Sequence, residues 1–192
     1  MALNYIYPKK FYQKIYNKKT LFGFYFKKIT YVIANILQQN FSKKQIVLDF
    51  GCGEGYLKKV SNKRKIIHKI YNYDILEEMS EIKDWKNINF DIFVAIHVFS
   101  LFDVNELEQL INKIKKINTN AEIIVGMERP RNVLIKLIIN IIIKLFNGNE
   151  KIGTCFNKIT VEEELKILLK YCKIIDKRNI FFMTNVIRLK FL

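Results

Sequence analysis

Short apolar runs alternate along the chain with longer stretches in which hydrophobic residues recur at helical spacing. The apolar runs predict four strands, at 45–50, 66–73, 90–99 and 122–127. Helical spacing follows the first strand from Gly55 to about Asn62, and it is clearest from Val104 to Ile117. The third run, FDIFVAIHVF, is almost wholly apolar, which is typical of a strand covered on both faces. Strands that alternate with helices predict βαβ units in a doubly wound, mainly parallel sheet.

The two ends of the chain depart from this alternation. Residues 20–40 predict a helix, and the stretch 132–146 predicts an unusually apolar one, in which Lys136, Asn140 and Lys144 recur every four positions. An ordinary amphipathic helix is expected from 160 to 172. Two strands at about 173–182 and 185–191 are separated by only a few residues, so they predict a closing antiparallel hairpin.

Composition narrows the class of protein. The chain has 192 residues, half of them hydrophobic, and it contains no internal repeat or linker, so we expect one continuous domain over 1–192. Its three cysteines, Cys52, Cys155 and Cys172, form no C-x-x-C pair, which supports neither a disulfide framework nor a zinc site; no metal is expected. No signal peptide or membrane-spanning run is found, so a cytoplasmic location is expected.

The net charge is +15, from 33 Lys and Arg residues against 18 Asp and Glu residues. A basic surface attracts nucleic acid, anionic lipid or acidic protein without choosing among them. Only 5 of the 33 basic residues are Arg, whereas bidentate contacts to phosphates and bases favour Arg. Nucleic acid therefore remains a possible partner that the composition does not favour.

The segment with the clearest chemistry is VLDFGCGEG, at residues 47–55. An acidic residue, Asp49, stands near the end of a predicted strand, and closely spaced glycines then form a turn into a helix. Such glycines let the backbone approach a ligand closely, and the helix N-terminus favours an anionic group. The spacing is not the G-x-G-x-x-G of dinucleotide sites, because the sixth position is Tyr56, and no G-K-[ST] of a P-loop follows.

This segment resembles motif I, D-x-G-C-G-x-G, of the class I S-adenosylmethionine-dependent methyltransferases. The matching residues are Asp49, Gly51, Cys52, Gly53 and Gly55. Asp74 ends the second predicted strand 19 residues after Gly55, where this family places the acidic residue that binds the ribose hydroxyls. The resemblance covers roughly residues 42–192. It implies a Rossmann-like fold, a site for S-adenosyl-L-methionine made by the matching residues, and methyl transfer to an acceptor.

One region departs from the family pattern. Only sixteen residues separate Asp74 from Asp91, where the family usually has a helix, a further strand and the loop that contacts adenine. The strand is therefore expected to be missing or reduced to a stub. Asp84 and Trp85 are the remaining candidates for the adenine contact, the carboxylate for the amine and the indole for stacking. Alternatively, Trp85 packs against the edge of the sheet.

Several other residues are candidates for the site. His97 is predicted near the end of the third strand, where it could act as the catalytic general base for a hydroxyl acceptor, or could be a hydrogen-bonded, partly buried histidine. Glu128 and Arg129 follow the fourth strand and could orient an acceptor or form a surface ion pair. Cys52 is expected to fill a small buried space, and His68 to lie at the surface.

The resemblance also implies helical caps over the acceptor, at 1–41 and 131–159. The aromatic residues at positions 5–16 could form a lid over the cofactor, as N-terminal segments often do in this family, or could simply pack. Two apolar caps with lysines favour a small hydrophobic or lipid-borne acceptor and peripheral contact with an anionic membrane. Core packing would explain the same apolar helices. RNA or protein methylation, and a noncatalytic binding protein with this fold, are the alternative functions. The oligomeric state is left open.

Overall fold

The computed structural model of the protein describes residues 21–129, 157–180 and 183–192. Its helices are α1 (Leu21–Asn40), α2 (Tyr56–Lys63), α3 (Val104–Ile117) and α4 (Val161–Tyr171). Its strands are β1 (Ile46–Phe50), β2 (Lys69–Tyr73), β3 (Ile92–Ile96), β4 (Glu122–Glu128), β5 (Cys172–Ile180) and β6 (Thr184–Phe191). Short 3₁₀ helices lie at Glu77–Met79, Trp85–Asn87 and Phe99–Leu101.

The strands form one sheet in the order β2-β1-β3-β4-β6-β5. The pairs β1 with β2, β1 with β3, and β3 with β4 are parallel, whereas β6 pairs antiparallel with both β4 and β5. The predicted doubly wound sheet with a closing antiparallel hairpin is therefore confirmed. After β1 the chain forms β2 on one side of β1 and then crosses to form β3 on the other side. The space beyond the carboxyl ends of β1 and β3 is therefore a topological switch point, which is where open α/β sheets bind ligands.

Both faces of the central strands are buried, which explains why their sequences are apolar without alternation. On one face, Leu48 of β1 belongs to a cluster with Leu107 of α3 and Leu168 of α4. On the other face, Val47 of β1 belongs to a cluster with Ile33 of α1 and residues of α2. The sheet is thus the middle layer of three, and its carboxyl edge is held rigidly from both sides.

Capping boxes fix the starts of the two helices on the first of these faces. The Asp103 side chain accepts a hydrogen bond from the Glu106 backbone at the start of α3, and Thr160 does the same from Glu163 at α4, with the reciprocal bond formed in both cases. Each cap stabilises its helix by about 1 kcal/mol. The observed bounds of α3 match the prediction because this signal coincides with the start of the apolar period.

No strand lies between β2 and β3, where the family pattern has one. Two 3₁₀ turns occupy the interval instead, and a single backbone bond, from Glu81 N to Asn72 O (3.0 Å), joins it to the outer side of β2. Of the two expectations, the missing strand is the one observed. β2 is therefore an edge strand of the described sheet.

The third strand is shorter than predicted. β3 ends at Ile96 because His97 has a φ of 54°, in the left-handed region that interrupts an extended strand. The apolar run continues through Val98 into the 3₁₀ helix at Phe99–Leu101. Hydrophobicity alone does not separate the strand from the turn that follows it, so the prediction of 90–99 was too long.

The predicted helix at 20–40 is observed as α1. The aromatic residues at positions 5–16, the apolar helix at 132–146 and all but the last three residues of the 131–159 insertion lie outside the described residues. Within the described part of the chain, no helix combines the length and apolar character needed to span a membrane.

Candidate functional site

The glycine-rich turn after β1 lies at the switch point and fits closely against its neighbours. Gly51 has a φ of 71°, and a Cβ atom there would lie 2.5 Å from Val98 Cγ2, just beyond β3. Gly55 has a φ of 63°, and its Cβ would lie 2.5 Å from Asn72 Nδ2 of β2. Both the conformation and the space therefore require glycine. The turn is packed against the ends of both neighbouring strands.

Asp74 ties this turn to the end of β2. Its side chain is buried, with one carboxylate oxygen accepting a hydrogen bond from Gly53 N (2.9 Å) and the other from Leu76 N (3.1 Å). The backbone N–H groups of Gly51 and Cys52 both donate to Tyr73 O, at 2.8 and 3.1 Å. The predicted ribose-binding residue thus also organises the loop that it adjoins.

Asp49 is the second buried carboxylate of the site, 3% exposed in the middle of the sheet edge. No hydrogen bond reaches its carboxyl group from residues 21–129, 157–180 or 183–192. Burial, and then the charges of Asp74 and Glu81, raise the pKa of Asp49 to about 7. Glu81 itself bonds to Lys58 at 2.7 Å. We call Asp49, Asp74 and Glu81 the acidic cluster; it favours a cationic ligand in a chain whose net charge is +15.

Cys52 is buried beside this cluster. Its Sγ lies 3.5 Å from both Gly53 O and Met79 O. Burial, together with the charge of Asp49, holds the pKa of the thiol well above its usual range. A protonated thiol is a poor nucleophile, so Cys52 fills space in the turn, as the sequence predicts.

Trp85 does not lie at an open surface. Its indole is 5% exposed and packs against Phe50, Phe93 and Phe90, with ring centroids 5.5, 5.9 and 6.4 Å away. The packing alternative is therefore the one observed, and the indole is not available to stack on an adenine. Asp84 is half-exposed, and its Oδ1 caps the 3₁₀ turn by accepting from Lys86 N at 3.1 Å.

His97 lies directly beyond β3, one residue before Val98, which contacts the glycine turn. Its backbone N–H donates to Gly126 O at 2.7 Å, and its Nε2 is 3.3 Å from Thr184 Oγ1. The imidazole meets the ring of Phe26 edge-on, with centroids 5.8 Å apart, and that of Tyr25 at 6.3 Å. His97 is hydrogen-bonded and partly buried, and it also reaches the carboxyl edge.

Tyr25 and Thr184 also lie at this edge of the sheet, and neither was predicted from the sequence. They are 159 positions apart in the chain, yet their hydroxyl groups are hydrogen-bonded to each other beside His97. No local pattern marks either residue, since both lie within otherwise apolar stretches. Only the pairing of β6 with β4 and the packing of α1 on the sheet bring them together.

The prediction that His68 lies at the surface was wrong. His68 is buried, with Nδ1 accepting a hydrogen bond from Gln45 N at 3.1 Å and Nε2 lying 2.9 Å from Leu37 O. Because Nδ1 accepts, Nε2 must carry the proton that bonds the carbonyl. The imidazole joins the end of α1 to the start of β1, and the surrounding lysines conceal this role in the sequence.

The remaining acidic and basic candidates lie at the end of β4. Arg129 N donates to Met183 O at 2.9 Å, which continues the pairing with the hairpin. Glu128 is the last residue of β4 and pairs in register with Thr184.

The described residues contain no cluster of three or more side chains suited to holding a metal ion.

Glu164 is a buried carboxyl group on the core-facing side of α4. Burial, and then the charge of Glu128, raise its pKa to about 8. A carboxyl whose pKa is raised by folding binds a proton more tightly in the folded state, so its contribution to stability falls as pH rises from its ordinary value towards 8. The group is neutral in the folded protein at acidic pH and costs free energy when it ionises.

We therefore expect Glu164→Gln to stabilise the protein at pH 8.5, by on the order of 2–4 kcal/mol, and to change its stability little at pH 5. Urea unfolding of both proteins at the two pH values measures this difference. Glu162→Gln, an exposed carboxyl in the same helical turn, is the matched control and should have a small effect at either pH. Equal stability of the Glu164→Gln and wild-type proteins at pH 8.5 would contradict the expectation.

Comparison with known proteins gives matches at the level of structure only. No protein-family model matches the sequence, and no curated protein matches it significantly. Among solved structures, the PH0226 protein from Pyrococcus horikoshii OT3 superposes with a TM-score of 0.67 at 12% identity, over 96% of this chain and 98% of that one.

Two further matches carry informative names. The methyltransferase domain of bacterial CtHen1-C superposes with a TM-score of 0.55 at 16% identity, over 86% of this chain and 97% of that domain. LepI, solved in complex with SAM, gives 0.53 at 8% identity over 83% of this chain, which spans 46% of the LepI chain. These likenesses show that the fold is the Rossmann-like fold of class I methyltransferases.

Proposed function

We propose that this protein is an S-adenosyl-L-methionine-dependent methyltransferase that acts on a small hydrophobic or lipid-borne acceptor. The observation that carries the proposal is the joint placement of the glycine turn and two buried carboxylates, Asp49 and Asp74, at the switch point of the sheet. The fold agrees with it, since similar folds occur in a methyltransferase domain, that of CtHen1-C, and in LepI, which was solved in complex with this compound. Because fold alone does not determine activity, the site has to carry the assignment.

The residues of the site suit the chemical groups of this cofactor. S-adenosylmethionine carries a sulfonium and an ammonium group, and Asp49 is a buried carboxylate that receives no hydrogen bond from the described residues. Asp74 uses one acceptor position of each oxygen for the backbone, so each oxygen keeps a further lone pair for the ribose hydroxyls. Gly51, Cys52, Gly53 and Gly55 would form the backbone surface against the methionyl end.

Adenine recognition differs from the sequence-based proposal. With Trp85 buried in the core, Asp84 is the remaining candidate of the two. Its Oδ1 already accepts from Lys86 N, so Oδ2 is the oxygen better placed to accept from the exocyclic amine. The interval between β2 and β3 has two turns in place of a strand, so the contact would come from the end of a turn.

When bound, S-adenosylmethionine supplies a methyl group on a positively charged sulfur that a nucleophile can attack directly. The protein then has two tasks, which are to orient the acceptor and to exclude water. His97 stands beside the glycine turn, and we propose that it accepts the proton of a hydroxyl acceptor. An acceptor that is already nucleophilic would need no base.

Aromatic side chains near His97 support an apolar acceptor. Tyr25 and Phe26 of α1 pack around the imidazole, and Phe24 of the same helix is 56% exposed. Lys27 and Lys28 follow them, a combination of aromatic and cationic groups that suits peripheral contact with an anionic membrane from the cytoplasmic side. RNA is the competing acceptor class, supported by the net charge of the chain alone.

The raised pKa of Asp49 predicts that cofactor binding depends on pH. A cationic ligand prefers the ionised carboxylate, which is depleted below a pKa of about 7. Calorimetry should therefore give an affinity roughly tenfold lower at pH 5.5 than at pH 7.5 for the wild-type protein. Asp49→Asn should bind more weakly than the wild-type protein at pH 7.5, bind about as well at pH 5.5, and so lose most of this dependence. An Asp49→Asn variant that keeps the wild-type pH profile would exclude Asp49 as the source.

The proposed activity is tested by methyl-labelled cofactor. The protein is incubated with the label and with separated lipid, RNA, protein and small-molecule fractions of a cell extract. Transfer into lipid or apolar small molecules supports the proposal, and transfer into RNA or protein assigns the alternative acceptor. Cofactor binding without transfer into any fraction would favour a noncatalytic binding protein. Calorimetry without any cofactor binding would remove methyl transfer to every class of acceptor. The proposed role of His97 as proton acceptor is tested in the same assay with His97→Asn. Asn tolerates a positive φ, so this variant removes the imidazole while preserving the turn.

A further inference from the structure

We infer that Tyr25 and Thr184 form a hydroxyl chain that positions the imidazole of His97 through its Nε2 atom. The inference deepens the proposed function and rests on it in one respect, namely that His97 serves as the proton acceptor. The three residues come from α1, β6 and the turn after β3. Their convergence at one place on the carboxyl edge is the observation from which the inference starts.

The contacts of Thr184 define the chain. Its side chain is fully buried, its Oγ1 is hydrogen-bonded to the Tyr25 hydroxyl, and the same Oγ1 lies 3.3 Å from His97 Nε2. Tyr25 is also buried, so the chain is shielded from water, and a hydrogen bond lost there is not readily replaced. A valine at position 184 would match the apolar surroundings, so the hydroxyl is the distinctive feature.

The backbone at His97 is held in an unusual conformation that the same contacts support. Its φ of 54° lies in the left-handed region, which few residues other than glycine adopt, although histidine and asparagine do so more often than most. Its N–H donates to Gly126 O at 2.7 Å. The edge-on contact with Phe26 limits rotation of the ring. A residue in a sparsely populated conformation, with its side chain fixed by two further elements, is typical of a functional position.

The contacts allow two opposite orders of donation, and each goes with one tautomer of His97. Only donation by Nε2–H leaves the other ring nitrogen to accept a proton, as the proposed function requires. We assign the Nε2–H of His97 as donor to Thr184 Oγ1 and the hydroxyl of Thr184 as donor to Tyr25 Oη, an order that puts the ring's acceptor lone pair on Nδ1. The proton that a hydroxyl acceptor loses on methylation would then pass to Nδ1, breaking the O–H bond and forming an N–H bond. The hydrogen bond from Nε2–H to Thr184 Oγ1 stays intact, so the two hydroxyl groups hold the imidazolium in the same orientation.

Nuclear magnetic resonance of the ring nitrogens tests this assignment without cofactor or acceptor. The protein contains 2 histidines, so long-range ¹H–¹⁵N spectra contain two imidazole patterns. His68 serves as the internal reference, because its contacts require the Nε2–H tautomer. We expect His97 to be in the Nε2–H form in the wild-type protein and to change to a mixture of tautomers in Thr184→Val, while His68 is unchanged. Thr184→Ser, which keeps the hydroxyl, should restore the wild-type pattern.

A His97 pattern of the Nδ1–H form in the wild-type protein, or one that Thr184→Val leaves unchanged, would overturn the inference. If Thr184→Val does not fold, Tyr25→Phe gives the second measurement, because it removes the outer hydroxyl group while keeping the ring. It should change the ¹⁵N chemical shifts of the His97 ring and leave those of His68 unchanged. These spectra do not depend on S-adenosylmethionine. Failure of cofactor binding in calorimetry would therefore count against the proposed function, whereas an unaltered tautomer would count against the chain.

Discussion

Replacing Asp74 by alanine is expected to abolish measurable binding of S-adenosylmethionine and to destabilise the fold. The change removes the acceptor of two backbone hydrogen bonds, from Gly53 N and Leu76 N, in a buried site. Each donor left unsatisfied costs about 1–3 kcal/mol, so the free energy of unfolding should fall by roughly 2–5 kcal/mol. Loss of the carboxylate that would hold the ribose should lower affinity by at least about 100-fold, since hydrogen bonds to charged groups are the stronger ones.

Two variants separate these effects of Asp74. Asp74→Asn keeps one oxygen of the side chain and should destabilise the protein less than alanine, while still weakening cofactor binding. Glu81→Gln is the matched control, because it removes a charge from the acidic cluster without removing an acceptor from the glycine turn. Urea unfolding gives the stability, and calorimetry on folded protein gives the affinity. A folded Asp74→Ala protein with wild-type affinity would show that the cofactor does not bind here.

Replacing Gly51 by alanine is the second change with a large expected effect. A Cβ atom would lie 2.5 Å from Val98 Cγ2, and the residue would have to keep a φ of 71°. The positive φ costs about 1–2 kcal/mol and the overpacking about 1–3 kcal/mol, so a loss of roughly 2–5 kcal/mol in the free energy of unfolding is expected. Movement of the turn away from Val98 should also remove cofactor binding, which calorimetry measures.

The contact and the conformation at Gly51 can be tested separately. Val98→Ala in the Gly51→Ala background removes the clashing methyl groups, and it should recover the overpacking part of the loss while the conformational part remains. Gly126→Ala is the control glycine, because its Cβ would lie 3.2 Å from Ile96 Cγ2, a contact that a slight shift of the side chain relieves. We expect Gly126→Ala to bind the cofactor with near wild-type affinity. A double variant no more stable than Gly51→Ala alone would rule out the Val98 contact as a cause.

The hydrophobic period and the glycine spacing together determined the fold class. A buried parallel strand needs apolar residues on both faces, and a turn that packs against two strand ends needs glycines. Both features can therefore be predicted from a short stretch of sequence. These requirements involve residues close together in the chain, so a single sequence is enough to recognise the strands and the glycine turn. Asp74 was singled out by the resemblance, because the family places an acidic residue at the end of the second strand, and in the structure its carboxylate accepts a hydrogen bond from the turn.

Other features of the site depend on contacts between distant segments. Trp85 was open to two interpretations because an indole suits stacking and packing equally, and its contacts with Phe50, Phe90 and Phe93 place it in the core. His68 is buried because the end of α1 and the start of β1 offer it two backbone partners. The tertiary structure alone brings Tyr25 and Thr184 to His97. Side-chain partners across 87 or 159 positions are decided by strand order and helix packing, which local spacing does not encode.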